Sequence, residues 1–200
     1  MSTKEHWEHI YSTKTPQEVS WTQAVPQTSL DLIAKYELPK FAKIIDIGGG
    51  DSLLVDHLLA LGYSNITVLD ISSHALERAK IRLGENADKV EWIVADIRNF
   101  TPTETYDLWH DRAAFHFLTD AKEIENYKNT VSQNTHHLVL GTFAADGPLK
   151  CSGLHITQYD ATTISTLFGT DFQVLESFQE DHRTPFDTIQ SFCFSRMSRK

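Results

Sequence analysis

The segment Ile44-Ile45-Asp46-Ile47-Gly48-Gly49-Gly50-Asp51-Ser52 constrains this chain more than any other. Ala42 to Ile47 reads as a short strand buried on both faces, because a strand with one wet face would alternate apolar and polar residues. Three glycines follow, and then Leu53 to Leu61 is apolar at helical spacing, with Gly62 placed to stop the helix. Glycines at a strand-to-helix turn permit positive φ and let a ligand lie against the main chain. They do so at the carboxyl end of a strand, where open α/β sheets place their sites. A tight turn without a ligand would use the same glycines.

The alternation continues downstream. Strands are predicted at 66–69, 90–94, 106–109 and 137–143, with helices at 74–83, capped by Ser72 or Ser73, and at 121–131, opened by Thr119-Asp120. Such alternation predicts an α/β fold with a mostly parallel sheet and helices on both faces. Two further β-like runs, 172–178 and 189–194, predict an antiparallel C-terminal hairpin and bring the strands to seven. Helices are predicted at 28–36, ended by Leu38-Pro39, and at 162–168.

With 200 residues, one domain of about 100 to 200 residues is expected. No apolar run reaches the roughly 18 residues of a membrane span, and the polar start carries no signal core, so a cytoplasmic protein is expected without membrane partners. Twenty-seven acids against 18 Lys and Arg give a net charge of -9, which argues against a nucleic-acid partner. Cys151 and Cys193 lie too far apart for a compact metal motif and are read as reduced thiols, so no metal site is expected.

Two acids sharpen the reading. Asp70 closes the second strand 20 residues after Gly50, the spacing at which an acid reaches ribose hydroxyls in nucleotide-binding α/β folds, and Asp96 follows the third strand. Either acid alone would serve as a turn cap. Asp46, Asp70 and Asp96 together end three strands that would line one crevice.

This set resembles the class I S-adenosylmethionine-dependent methyltransferases, over residue 40 to the final hairpin. The resemblance implies a Rossmann-like seven-stranded sheet and S-adenosyl-L-methionine as cofactor. It assigns Asp46, Gly48, Gly49 and Gly50 to the methionine end, Asp70 to the ribose with Ile71 beside the adenine, and Asp96 with the Ile97 main chain to the adenine. Ser52 departs from the pattern where a spaced glycine is usual. The strings His6-Trp7, Ser20-Trp21, Trp109 to Leu118, Gly141 to Pro148 and Cys151 to Leu154, with His182, Thr184-Pro185 and Gln190-Phe192, are similar to a small bacterial-type subgroup. On this resemblance, 1–40 is an N-terminal lid and helix, 41–143 the cofactor core, and 144–200 the acceptor side.

Trp7, Tyr11 and Trp21 are either lid aromatics facing the sulfonium or caps on the core, with Tyr11 and Trp21 assigned to the cofactor. Lys14 is a candidate for the methionine carboxylate or a solvated lysine. His110, at the end of the fourth strand, is the candidate base. Asp111, Phe143 and His182 are expected in the acceptor pocket, Arg112 either in an ion pair or on an anionic acceptor, and His116 in packing. The expected acceptor is a small molecule or a protein side chain. Two other readings are open: a nicotinamide-dependent oxidoreductase, whose third glycine would fall at Leu53, and a non-catalytic nucleotide-binding scaffold.

Overall fold

Why the chain pairs as it does follows from which strands are apolar on both faces. The computed structural model describes residues 2–200. Its first strands are β1 (Lys43–Ile47), β2 (Asn65–Asp70), β3 (Val90–Val94), β4 (Tyr106–Arg112) and β5 (Thr135–Phe143). These five pair in parallel in the order β3-β2-β1-β4-β5. Short strands β6 (Lys150–Cys151) and β7 (Leu154–His155) form a separate two-stranded ribbon. The sheet is finished by β8 (Phe172–Arg183) and β9 (Ile189–Arg199), with β9 antiparallel to both β5 and β8. The Rossmann-like seven-stranded sheet with its antiparallel hairpin is therefore present.

Alternation along the strands separates two cores. Ile44, Val68 and Val139 face one side, where α2 (Gln27–Ala34), α3 (Leu54–Ala60) and α4 (Ser73–Leu83) bring Leu32, Leu58 and Leu76. Ile45, Leu69 and Leu138 face the other, where α5 (Ala121–Asn134) and α6 (Ala161–Phe168) bring Tyr127, Val131 and Phe168. The caps are local. Ser72 accepts from the Ala75 N–H, Gly84 ends α4 at a φ of 56°, and Asp120 accepts from the N–H groups of Lys122 and Glu123. A further helix, α1 (Thr3–Thr13), was outside the sequence expectation. Its Ser2 and Glu5 form a reciprocal capping box.

Asp111 belongs to this framework rather than to an acceptor pocket. It is fully buried among the second core, where burial raises its pKa to about 6. Oδ1 accepts from the N–H groups of Ala114 and Phe115, both at 3.0 Å, and Oδ2 accepts from the Tyr127 hydroxyl at 2.6 Å. Trp109 Nε1 in turn donates to Tyr127 Oη at 3.1 Å. The network ties β4 to α5, and the acid satisfies the turn that leaves the strand. Tyr127→Phe should destabilise the protein by about 1.5 to 3 kcal/mol at pH 8, by leaving a buried carboxylate under-bonded. The loss should shrink at pH 5, where Asp111 carries a proton with or without its partner, and denaturant unfolding at the two pH values measures it.

Candidate functional site

Parallel pairing sets the site. Asp46 of β1 stands opposite Val68 of β2 and His110 of β4, so the carboxyl ends of the three strands come level. A cavity of about 750 Å³ opens above them. That lies within the roughly 300 to 1,000 Å³ of small-ligand sites and holds more than one small group.

The turn above β1 has no room for side chains. Gly48 and Gly50 hold φ of +63° and +48°. A Cβ on Gly49 would come within 2.6 Å of Asp46 Oδ2, and one on Gly50 within 2.9 Å of Asp70 Oδ2. The backbone is thus threaded between two buried carboxylates, with the turn's surface left to a ligand. Gly48, Gly49, Asp51 and Ser52 line the cavity, while Gly50 lies behind them.

Asp46 is tied into a chain. A carboxylate only accepts, so His110 Nδ1 carries its proton toward Asp46 Oδ1 at 2.6 Å. A ring with one proton then offers Nε2 as acceptor to the Ser29 hydroxyl, 2.8 Å away. All three residues line the cavity. Ser29, on α2, went unnoticed in the sequence because a serine in a predicted amphipathic helix carries no signal of its partner.

Asp70 and Asp96 differ in their surroundings. Asp70 Oδ1 accepts from the Ser72 N–H at 2.8 Å, but no cation among the described residues pairs with the group. Burial first, and then the nearby acids Asp51, Asp46 and Glu8, push its pKa up to about 7. At Asp96 burial works in the same direction, yet hydrogen bonds from the Arg98 side chain and main chain overcome it and hold the carboxyl below its usual range. Ile71, Ala95 and Ile97 line the cavity between these two acids and supply its apolar walls.

The N-terminal segment closes over this cavity. Glu8 of α1 accepts from Ser72 Oγ at 2.7 Å and from the Ser73 and His74 N–H groups at 2.9 and 3.1 Å, sitting on the N-terminus of α4. Burial opposes its charge, but these bonds hold its carboxyl far below the ordinary glutamate range. Trp7 packs edge-on to Trp21 and Phe117 at 5.7 and 5.2 Å, and Trp7, Tyr11 and Trp21 all line the cavity. Lys14 does not. It is exposed, and its carbonyl accepts from Arg78.

Two expected acceptor residues lie elsewhere. Phe143 is buried in the first core against His116 and Phe192, at 4.6 and 5.0 Å between ring centres, because β5 runs to Phe143 and turns its side chain inward. His182 donates through Nε2 to the Ser20 carbonyl at 2.7 Å and so anchors the segment before Trp21 instead of facing a ligand. The cavity wall toward the end of β4 is formed by Arg112, Ala113 and Phe117, and Cys151, Leu154 and His155 also line the cavity. His116 is a packing residue as expected: burial drops its pKa to about 3, and its Nδ1 accepts from the Phe143 N–H at 3.1 Å.

A family model described as a methyltransferase domain matches residues 44–133, the stretch from β1 through most of α5. The fold superposes on an S-adenosylmethionine-dependent methyltransferase from Anabaena variabilis with a TM-score of 0.77 at 15% identity, over 100% of this chain and 96% of that one. Residues 44–133 thus match a methyltransferase domain, and the whole chain has the fold of this S-adenosylmethionine-dependent enzyme. The chain is also similar to malonyl-[acyl-carrier protein] O-methyltransferase 1 of Ilyobacter polytropus, 24% identical over 74% of this chain and 59% of the relative. With the EEF1A lysine methyltransferase 2 of Mus musculus it shares 30% identity over 50% of this chain and 44% of the relative. It therefore spans less than two thirds of these relatives' lengths. The N-methyltransferase NodS from Bradyrhizobium japonicum, solved with S-adenosylhomocysteine, superposes with a TM-score of 0.73 at 16% identity, over 100% of this chain and 99% of that one.

The residues present fit such a cofactor. The glycine turn offers main chain where a Cβ on Gly49 or Gly50 would strike a carboxylate, and Asp70 is a buried acceptor with no cation paired to it among the described residues. Hydroxyls of a bound ribose donating to Asp70 would favour its ionised form, and binding would then release the proton that the free protein holds below about pH 7. Affinity for S-adenosylhomocysteine should therefore rise as pH goes from 6 to 8. Asp70→Asn should weaken binding by about 1.5 to 3 kcal/mol and flatten the dependence, as read by calorimetry across that range.

Proposed function

We propose that this chain transfers a methyl group from S-adenosylmethionine to a small molecule, or to a single side chain inserted into the cavity. The observation that carries this reading is the continuity of the cavity, which joins Gly48, Asp70 and Asp96 to His110, Arg112 and Cys151 without a dividing wall. A donor held by the acids would present its sulfonium toward the β4 end, where His110 and the wall from Cys151 to His155 face it. When bound, the cofactor supplies an already activated methyl group. The chain's own residues then have to bind, orient and exclude water, since in-line placement of the nucleophile is the main requirement.

In this reading Asp46, Gly48, Gly49 and Gly50 hold the methionine end, Asp70 and Ile71 the ribose and adenine, and Asp96 and Ile97 the adenine edge. Asp46 fixes the His110 ring so that Nε2 faces Ser29 and, beyond it, the cavity. Where the acceptor has a proton to lose, the Ser29 hydroxyl is the exchangeable partner at that nitrogen. Trp7, Tyr11 and Trp21 close the top. Residues 1–40, 41–143 and 144–200 act as lid, donor half and acceptor half of one domain.

The relatives are named for O-methyl transfer on malonyl-[acyl-carrier protein] and for methylation of an EEF1A lysine, which supports an acceptor that is either a small group or a protein side chain. Among the described residues no helix is long and apolar enough to cross a membrane. Cys151 and Cys193 are both free and buried, which supports a reducing, cytoplasmic setting.

Labelled-methyl transfer from S-adenosylmethionine into cell extract, split into protein and small-molecule fractions, tests the reading. Wild type should label one fraction and His110→Ala should lose about a hundredfold or more of the rate, the order of a general base's contribution. Glu8→Ala, which frees the lid from α4, should raise KM for the cofactor with a folded core intact by circular dichroism. Equal labelling by wild type and Asp70→Ala would contradict the assignment.

A further inference from the structure

Three arginines line the cavity, and two of them are matched. Arg82 meets Asp56 through Nε at 3.0 Å and Nη2 at 2.8 Å. Arg98 sets Nε against Asp96 Oδ1 at 3.0 Å and Nη2 against Oδ2 at 2.5 Å, with Nη1 near Glu123. Arg112 has no such partner. Its Nη1 donates to the Trp21 carbonyl at 3.1 Å and its guanidinium lies 4.6 Å over Phe192. Its Nε and Nη2 are shut off from water and bonded to nothing among the described residues.

The nearest acids do not repair this. Glu180 and Asp46 act on Arg112 only through space, and Glu180 is itself held by the Thr28 hydroxyl at 2.5 Å. Burial lowers the Arg112 pKa to about 10, which leaves it charged at neutral pH. A buried cation with two idle donors is destabilising unless an anion meets it. The idle Nε–Nη2 edge is the fork that binds a carboxylate through two parallel hydrogen bonds, as Arg82 and Arg98 show within this same molecule.

Position selects the ligand. Asp46, Asp70 and Asp96 occupy one part of the cavity, whereas Arg112 stands two residues past His110 on β4 and lines the same cavity as Cys151 and Leu154. No lysine lines the cavity to meet a second negative charge, which favours a carboxylate over a phosphate. We propose that the methyl acceptor carries a carboxylate that docks on the Nε–Nη2 edge of Arg112 as a recognition handle, an edge closed to water in the ligand-free chain and uncovered as the acceptor enters, leaving its methyl-accepting group toward His110. This rests on the methyltransferase reading and narrows its acceptor class.

The test uses the full chain saturated with S-adenosylhomocysteine and titrated with small mono- and dicarboxylates, each against its neutral amide, and with inorganic phosphate. At least one carboxylate should bind about tenfold or more tighter than its amide, the size of a charge-assisted bidentate contact. Arg112→Gln should abolish that preference while S-adenosylhomocysteine affinity stays within about twofold. It should also raise the melting temperature of the ligand-free protein, because it removes an unpaired buried charge. Arg112→Lys should recover part of the preference, keeping the charge without the fork. The proposal is overturned if no carboxylate outbinds its amide while S-adenosylhomocysteine still binds. It is overturned too if phosphate binds tighter than every carboxylate, or if Arg112→Gln lowers the ligand-free melting temperature as a purely structural arginine would. Loss of S-adenosylhomocysteine binding in wild type would instead overturn the reading beneath it.

Discussion

The rest of the structure depends on a turn that must pass between two buried carboxylates. Gly49 and Gly50 lie where a Cβ would stand 2.6 Å from Asp46 and 2.9 Å from Asp70, and Gly48 lies where one would meet Ala114 Cβ at 2.7 Å. Only bare backbone fits, and bare backbone presents N–H groups and space to a ligand. The acids are held so close because β1 pairs in parallel with β2 and β4, which brings all three carboxyl ends to one level. A sheet built for packing therefore concentrates charge at its top edge.

That concentration is balanced unevenly. Asp96 is neutralised by Arg98, Asp46 is satisfied by His110, and Asp70 keeps a raised pKa because burial and its acidic neighbours leave it uncompensated. Across the cavity Arg112 is the mirror case, a cation without an anion. Both mismatches sit where a two-part ligand would resolve them, hydroxyls against the acid and an anion against the arginine. The lid couples to the same region, since Glu8 of α1 caps α4 only two residues past Asp70. Helix α1, which carries Trp7 and Tyr11 into the cavity wall, is therefore tied to the strand end that holds Asp70.

Much of this was legible in the sequence because the informative residues are local. Strand, glycines and helix are contiguous from Ile44 to Leu61, and Asp70 and Asp96 fall at the ends of apolar runs, so periodicity places them. The edge hairpin was read short. β8 runs to Arg183 and β9 to Arg199, but their outer halves alternate with Gln, Glu, Asp and Arg that face away from the core, and so lack the apolar density of the inner strands. Helix α1 was missed because its face packs on α4 and the cavity aromatics rather than on the main core, leaving a mostly polar segment. Asp111, Phe143 and His182 were misplaced for a different reason. Each lies near a strand end, but which way its side chain turns depends on tertiary partners: Tyr127 for the acid, His116 and Phe192 for the ring, and the Ser20 carbonyl for the imidazole. Ser29 and Arg112 show the same limit, as a helix serine gains meaning only from His110 across 81 residues, and an arginine's lack of a partner cannot be seen in a string.

The most direct measurement is a crystal structure of the chain with S-adenosylhomocysteine bound. Ribose hydroxyls should lie on the Asp70 carboxylate, the adenine edge between Asp96 and the Ile97 main chain, and the amino-acid end against Asp46 and the Gly48 turn, with the sulfur facing the His110 and Arg112 half of the cavity. A nucleoside bound away from Asp70, or a cavity that excludes S-adenosylhomocysteine and takes a nicotinamide dinucleotide instead, would contradict this arrangement.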